Sequence, residues 1–170
     1  MKARNVVAVV IGAVGGLLAA VLPAAADEFG TWHELKPRSS DKCLDVDGGS
    51  TEDGANAIQY TCHGGTNQQW QLVLVDSSDV FAISAGNSGK CLDVEGGATN
   101  DGANVIQWEC HGGKNQQWQL VPLGAGLYEI RSVNSDKCLD VDGGSTEDGA
   151  NIIQWPCHGG DNQAWSLTNV

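Results

Sequence analysis

Three residue types recur at fixed spacing and could together hold a polyhydroxylated ligand. An aspartate follows one cysteine by two places at Asp45, Asp93 and Asp140. An aromatic residue precedes a second cysteine by two at Tyr60, Trp108 and Trp155, and an asparagine follows that cysteine by five at Asn67, Asn115 and Asn162. An ionised carboxylate accepts hydrogen bonds from two adjacent hydroxyls, an aromatic ring covers a C–H-rich face, and an amide both donates and accepts. Gln68, Gln116 and Gln163 come next in the chain. They are counted with this set in a bracing role, holding the aspartate in one rotamer. The alternative for Asp, Asn and Gln is turn chemistry and strand-end capping. For the rings it is core filling, although the neighbours Gln59, Glu109 and Pro156 point to half-exposed strands. His63, His111 and His158 follow the second cysteines directly, either as hydrogen-bonding groups at a pocket rim or as partners of their own Gly-Gly turns.

These residues sit in a unit written three times, Lys42–Leu72, Lys90–Leu120 and Lys137–Leu167. The first and third copies agree at 25 of 31 positions, so the units must share one local structure. A unit this short cannot bury its own apolar face, and three must share one core. Each copy holds two cysteines 19 positions apart, and equivalent copies should pair equivalently. The repeat therefore predicts Cys43–Cys62, Cys91–Cys110 and Cys138–Cys157, each contributing about 3 kcal/mol by closing a short loop. Zinc is the competing use of Cys beside His, but no tight Cys-x-x-Cys or His-x-x-x-His pair is present, and no metal or other cofactor is expected.

The elements that must position these groups read as short strands. Leu35, Phe81-Ala82-Ile83 and Tyr128-Glu129-Ile130 mark a first strand of each copy, Cys-Leu-Asp-Val a second, and Val105-Ile106-Gln107-Trp108 and its equivalents a third. Gln-Gln-Trp-Gln-Leu reads as a fourth. Gly-Gly and Asp-Gly, as at Gly48-Gly49 and Asp53-Gly54, mark turns. No stretch shows sustained helical periodicity, so the expected fold is all-β with twelve strands.

Composition bounds the function. Of 170 residues, 9 are Lys or Arg and 21 are Asp or Glu, a formal charge of −12. That balance argues against nucleic-acid binding and against docking on anionic lipid. Residues 1–26 read as a secretory signal peptide: Lys2 and Arg4, an apolar run from Val6 to Leu22, then Pro23 and Ala24-Ala25-Ala26. The remainder, 27–170, is expected to be one secreted domain without a membrane-inserted segment, in lobes of about 30–76, 77–123 and 124–170. The loop Asp45–Asn56 is acidic, but its register does not fit an EF-hand, since position six is not Gly and the twelfth residue, Asn56, is no carboxylate; this leaves loop calcium through Asp47, Asp53 and their equivalents as a minor alternative.

The repeats resemble ricin-B-type lectins and the related sugar-binding modules appended to xylanases. The resemblance rests on Cys-Leu-Asp-Val, on the aromatic two before the second cysteine, and on three in-phase Gln-x-Trp signatures: Gln68-Gln69-Trp70, Gln116-Gln117-Trp118 and Gln163-Ala164-Trp165. It implies a β-trefoil, three four-stranded pseudo-symmetric lobes forming a six-stranded barrel capped by hairpins. It also implies that Asp, aromatic and Asn are the sugar contacts. Trp70, Trp118 and Trp165 sit in apolar strands and read as core. One departure stands out. The family often places a Gln two before the aromatic, where Ile58, Ile106 and Ile153 stand here, with Gln59, Gln107 and Gln154 one step later. A one-residue shift on a strand changes the face, which puts a sugar contact from that Gln in doubt.

The chemistry predicts a non-catalytic binder of galactose-, arabinose- or xylose-containing oligosaccharides or polysaccharides, with up to three sites. Catalysis usually breaks symmetry with residues that occur once, and nothing unique here looks catalytic. The alternatives are a trefoil protease inhibitor, which would use one asymmetric loop, the binding subunit of a separate toxin or enzyme, and a small glycosidase.

Overall fold

The computed structural model describes residues 30–76 and 78–170, so the expected signal peptide lies outside the described residues. Among them are twelve strands in the expected order, four to a lobe. The first lobe holds β1 (Trp32–Pro37), β2 (Cys43–Val46), β3 (Ala57–Tyr60) and β4 (Trp70–Asp76). The second holds β5 (Val80–Ala85), β6 (Cys91–Val94), β7 (Val105–Trp108) and β8 (Trp118–Gly124). The third holds β9 (Leu127–Ser132), β10 (Cys138–Val141), β11 (Ala150–Trp155) and β12 (Trp165–Asn169). No helix among the described residues is long and apolar enough to cross a membrane.

First and fourth strands close a ring. β1 pairs with β4, β4 with β5, β5 with β8, β8 with β9, β9 with β12, and β12 returns to β1. All six pairings are antiparallel, and closure leaves the barrel without a free edge. Second and third strands form hairpins beside it: β2–β3, β6–β7 and β10–β11. The architecture is the β-trefoil that the repeats imply.

The core is assembled from equivalent positions of the three lobes. Leu35, Leu72, Ile83, Leu120 and Ile130 come from the barrel strands, and Leu44, Val46 and their equivalents from the hairpins. Trp70, Trp118 and Trp165 are fully buried, as their apolar settings require. Each indole Nε1–H donates to a carbonyl of its own lobe, those of Leu44, Leu92 and Leu139, at 2.9, 2.9 and 3.0 Å. Burial of each ring contributes about 3 kcal/mol, and the bonded N–H removes the penalty of an orphaned donor. The fourth strand starts later than the sequence pattern suggests. Thr66–Gln68, Lys114–Gln116 and Asp161–Gln163 are 3₁₀ turns, closed by bonds such as Gln68 N–H to the Gly65 carbonyl at 2.9 Å. These turns bury the first glutamine of each motif before the strand begins.

The lobes are sealed to one another by glutamines. Gln107 Nε2 donates across the boundary to the carbonyls of Ser50 and Glu52, both at 2.9 Å, while its Oε1 accepts from Ser88 Oγ at 2.8 Å. Gln59 makes the same three bonds to Ser145, Glu147 and Ser40, and Gln154 to Ala98, Asn100 and Ser135. This explains the register departure. Strand alternation turns these glutamines away from the solvent-facing side and into the seam, where all three are buried. Truncating Gln107 to Ala removes all three bonds: the Glu52 carbonyl loses its amide donor and the Ser88 hydroxyl its acceptor, while the Ser50 carbonyl keeps the bond from Asn87 Nδ2 at 2.9 Å. Urea unfolding should show a loss of about 2–4 kcal/mol, with the fold otherwise retained.

Candidate functional site

The cap hairpin of each lobe brings together the groups that the spacing singled out. Cys43 lies opposite Tyr60 and Asp45 opposite Ile58 in the β2–β3 register. With a period of two, Cys43 and Asp45 share one face with Ile58 and Tyr60, while Leu44, Val46 and Ala57 turn to the core. The Cys43–Cys62 disulfide anchors that face, and Cys91–Cys110 and Cys138–Cys157 do the same in the other lobes, with Cα–Cα distances of 5.1 Å. All six thiols are consumed, so the cysteine clusters with Glu34 and Glu129 offer no thiolate to a metal.

A cleft opens over each hairpin, of about 470, 530 and 510 Å³ in lobes one to three. The first is lined by Asp45, Asp47, Ile58, Tyr60, His63 and Asn67. The second and third have Asp93, Trp108, His111 and Asn115, and Asp140, Trp155, His158 and Asn162. Acid, ring, histidine and amide therefore converge in all three lobes. Tyr60, Trp108 and Trp155 are 43, 42 and 40 % exposed, enough to offer a ring face to a ligand.

The aspartates lie at the floor, only 2–3 % exposed, and a buried carboxylate must be supplied with donors. Asn67 Nδ2 donates to Asp45 Oδ1 at 2.8 Å and Gln68 Nε2 to Oδ2 at 2.7 Å. The equivalent pairs are 2.9 and 2.8 Å at Asp93 and 2.9 and 2.6 Å at Asp140. Gln68, Gln116 and Gln163 thus stand behind the carboxylates and line no cleft. This is the bracing role expected of them in the site: they hold the acid, and a glutamine that is fully used and buried has no face left to touch a ligand itself. Gln68 Oε1 also accepts the His63 backbone N–H at 2.8 Å, tying the acid to the turn that carries the histidine.

Each histidine does both things that the sequence left open. His63 Nδ1 accepts from the Gly65 N–H at 3.2 Å, and His111 and His158 accept from Gly113 and Gly160 at 3.1 Å. That bond assigns the ring proton to Nε2, which faces the aspartate Oδ2 at 3.4 Å in every lobe. Gly65 is needed for this packing, since a Cβ there would lie 2.6 Å from both His63 Cε1 and Asn67 Oδ1.

Sequence reasoning missed two lining groups. Ile58, Ile106 and Ile153 supply apolar floor, although face alternation from Tyr60 could have found them. Asp47, Glu95 and Asp142 stand at the mouth on 3₁₀ turns. Consecutive left-handed glycines shape these turns; in the first, Gly48 and Gly49 both have φ of 61°. The two acids of the loop-calcium alternative go different ways. Asp47 lines the cleft, while Asp53 binds Lys90 of the next lobe at 2.7 Å.

The chain belongs to the ricin-type β-trefoil lectin domain family, whose model matches residues 79–170, and a ricin-type β-trefoil lectin domain-like model matches residues 25–108. It is a carbohydrate-binding lectin domain. Among solved structures it is similar to ThreeFoil, a designed threefold-symmetric protein, at 52 % identity and a TM-score of 0.80, over 82 % of this chain and 99 % of that one. An exo-β-1,3-galactanase from Clostridium thermocellum is 41 % identical with a TM-score of 0.80, over 82 % of this chain and 30 % of the galactanase. A ricin B-like lectin of Macrolepiota procera, in complex with lactose, shares the fold at 22 % identity and a TM-score of 0.71, over 83 and 96 % of the two chains.

Burial raises the carboxyls of Asp45, Asp93 and Asp140 above their ordinary value of 3.8, and the donated bonds from Gln, Asn and His offset only part of it. Asp53 and Asp148 move the other way, held below 3.8 first by the hydrogen bonds from Lys90 and Lys42. The three floor acids therefore contribute stability that is full below 3.8 and lost as pH rises through their raised folded values. Asp53 and Asp148 contribute above 3.8 and lose it as pH falls through their lowered ones. Carboxylate carbon shifts followed by NMR should resolve these two groups, three aspartates titrating above 3.8 and two below.

Proposed function

We propose that this protein is a secreted, non-catalytic lectin with three similar sites for galactose-, arabinose- or xylose-containing glycans. One observation carries the reading: in all three lobes a donor-braced carboxylate, a half-exposed ring and an amide edge the same cleft. The carboxylate accepts from vicinal hydroxyls, the ring covers the C–H face, and the floor isoleucine excludes water beneath the sugar. Asn67 and its equivalents give their amide protons to the aspartate and, at 3.3–3.5 Å, to the carbonyls of Val46, Val94 and Val141, which leaves the amide oxygen to accept from a ligand hydroxyl. Galactose stands first among these sugars because of the 41 % identity to a protein whose name is a galactanase.

Catalysis is not part of this proposal. Each cleft repeats the same groups, and hydrolysis would need two carboxyls in contrasting roles across a bond to be cut. Secretion rests on the character of residues 1–26. The threefold repetition of the cleft also speaks against a protease inhibitor, which would need one loop. Three shallow sites on a rigid body gain strength by simultaneous engagement of a polymer. Tyr60 offers less ring area than Trp108 or Trp155, so the first site should be the weakest.

A broad glycan array tests the ligand class, and binding to no glycan would defeat it. Calorimetry with lactose and with arabinoxylan fragments should give a stoichiometry of three. Asp140→Ala should lower it to two, and Trp155→Ala should weaken its site at least about tenfold. As pH falls through the raised values of the floor acids, binding should fade while the molecule stays folded.

A further inference from the structure

We propose that the acidic turn of one lobe positions the ligand platform of the next, Asp53 acting on Trp108 and Asp148 on Tyr60. The inference rests on the reading of these rings as sugar platforms and goes beyond it, because it makes each of these sites the joint property of two lobes. Trp108 is gripped on both sides by the first lobe. Asp53 Oδ1 accepts the backbone N–H of Glu109, the residue after the ring, at 2.8 Å, and Lys90 Nζ at 2.7 Å. The residue before the ring, Gln107, exchanges backbone bonds with the same turn: its carbonyl accepts from Gly54 at 2.9 Å and its N–H donates to Ala55 at 2.9 Å. The ring also lies near the turn: a Cβ on Gly54 would lie 3.8 Å from Trp108 Cζ3, as one on Gly102 would lie 3.6 Å from Trp155 Cζ3.

Tyr60 is held in the same way from the third lobe. Asp148 Oδ1 accepts the Thr61 N–H at 2.7 Å, the Thr61 hydroxyl at 3.0 Å and Lys42 Nζ at 2.7 Å. Here the grip is on the backbone alone, because nothing lies within 4 Å of a Cβ at Gly149 and the smaller ring does not reach the turn.

The third platform breaks the pattern by one residue. Pro156 stands where Thr61 and Glu109 stand, and proline has no N–H to give. Asp101 of the second lobe keeps the salt bridge, to Lys137 Nζ at 2.9 Å, but receives no backbone bond from the residue after Trp155. The proline ring fixes φ near about −65° and restricts covalently what the other lobes restrict by hydrogen bonding. Asp101 is therefore dispensable for its platform, although Asp53 and Asp148 are not. The turns also face two ways. The loop that positions Trp108 with Asp53 begins at Asp47, Gly48 and Gly49, which line the first lobe's own cleft.

The test compares Asp53→Ala with Asp101→Ala, two changes that each remove one salt bridge between lobes. Lactose titrations of the full protein are followed by NMR at the indole Nε1–H resonances of Trp108 and Trp155. Asp53→Ala should weaken the Trp108 site about five- to tenfold and leave the Trp155 site within about twofold. Asp101→Ala should leave both sites unchanged. Adding Pro156→Thr should then make the third site depend on Asp101. A second readout needs no sugar: indole relaxation should show Trp108 more mobile in Asp53→Ala, and Trp155 unaltered in Asp101→Ala. If the two variants change both rings alike, or lower stability without altering either ring, the turns serve cohesion alone and the proposal is wrong. If the wild type binds neither lactose nor any glycan of the array but Asp53→Ala alone frees the Trp108 ring, the positioning stands and the sugar reading fails.

Discussion

A carboxylate can rest at the floor of a cleft only if protein donors replace the water it has lost. At Asp45 that supply comes from Asn67 and Gln68, and much of the surrounding structure follows from it. The 3₁₀ turn before β4 aims those two amides at the acid. The disulfide fixes the face of the hairpin from which the acid projects. Gly65 leaves the space that the histidine and asparagine side chains occupy. Because the acid is braced before any ligand arrives, little rotamer entropy remains to be lost on binding.

The same hairpin has to satisfy the opposite demand on its other side. Leu44, Val46 and Ala57 close the core, and Gln59 enters the seam to the third lobe. Alternation along four residues keeps the two demands apart, so a polar cleft and an apolar interior share one pair of strands. The seams themselves combine buried amide bonds with solvent-facing Lys–Asp pairs. The amides do most to hold the lobes together, since exposed ion pairs contribute little.

Much of this was legible in the sequence because it repeats. The threefold copy exposed the cysteine pairing, the strand order and the core tryptophans, and it marked out the acid, ring and amide that now edge one cleft. What escaped was whatever depends on a neighbouring lobe or on the side that a residue faces. The register placed Gln59, Gln107 and Gln154 away from the usual contact position but could not reveal their partners, 54 to 88 residues distant in the chain. Asp53 read as a turn residue and a loop-calcium candidate, and its partner Lys90 belongs to the next lobe, which spacing within one repeat cannot show. The bracing role of Gln68 was legible, but its bond to the His63 backbone N–H, which ties the acid to the histidine turn, was not. The late start of the fourth strand was hidden for a related reason: Gln-Gln-Trp-Gln-Leu alternates well enough to read as strand throughout, and only the bond to the Gly65 carbonyl shows that its head is a turn.

All three cystines bridge residues 19 apart, and none crosses from one lobe to another. The covalent network is therefore three separate small rings on one thread. Breaking the thread between β4 and β5, and joining it anew between β12 and β1, would leave every cystine intact and every ring inside its own segment. Oxidation during synthesis is simplified in the same way. Each pair is complete as soon as its own stretch of chain has emerged, so correct partners can meet before any wrong one exists.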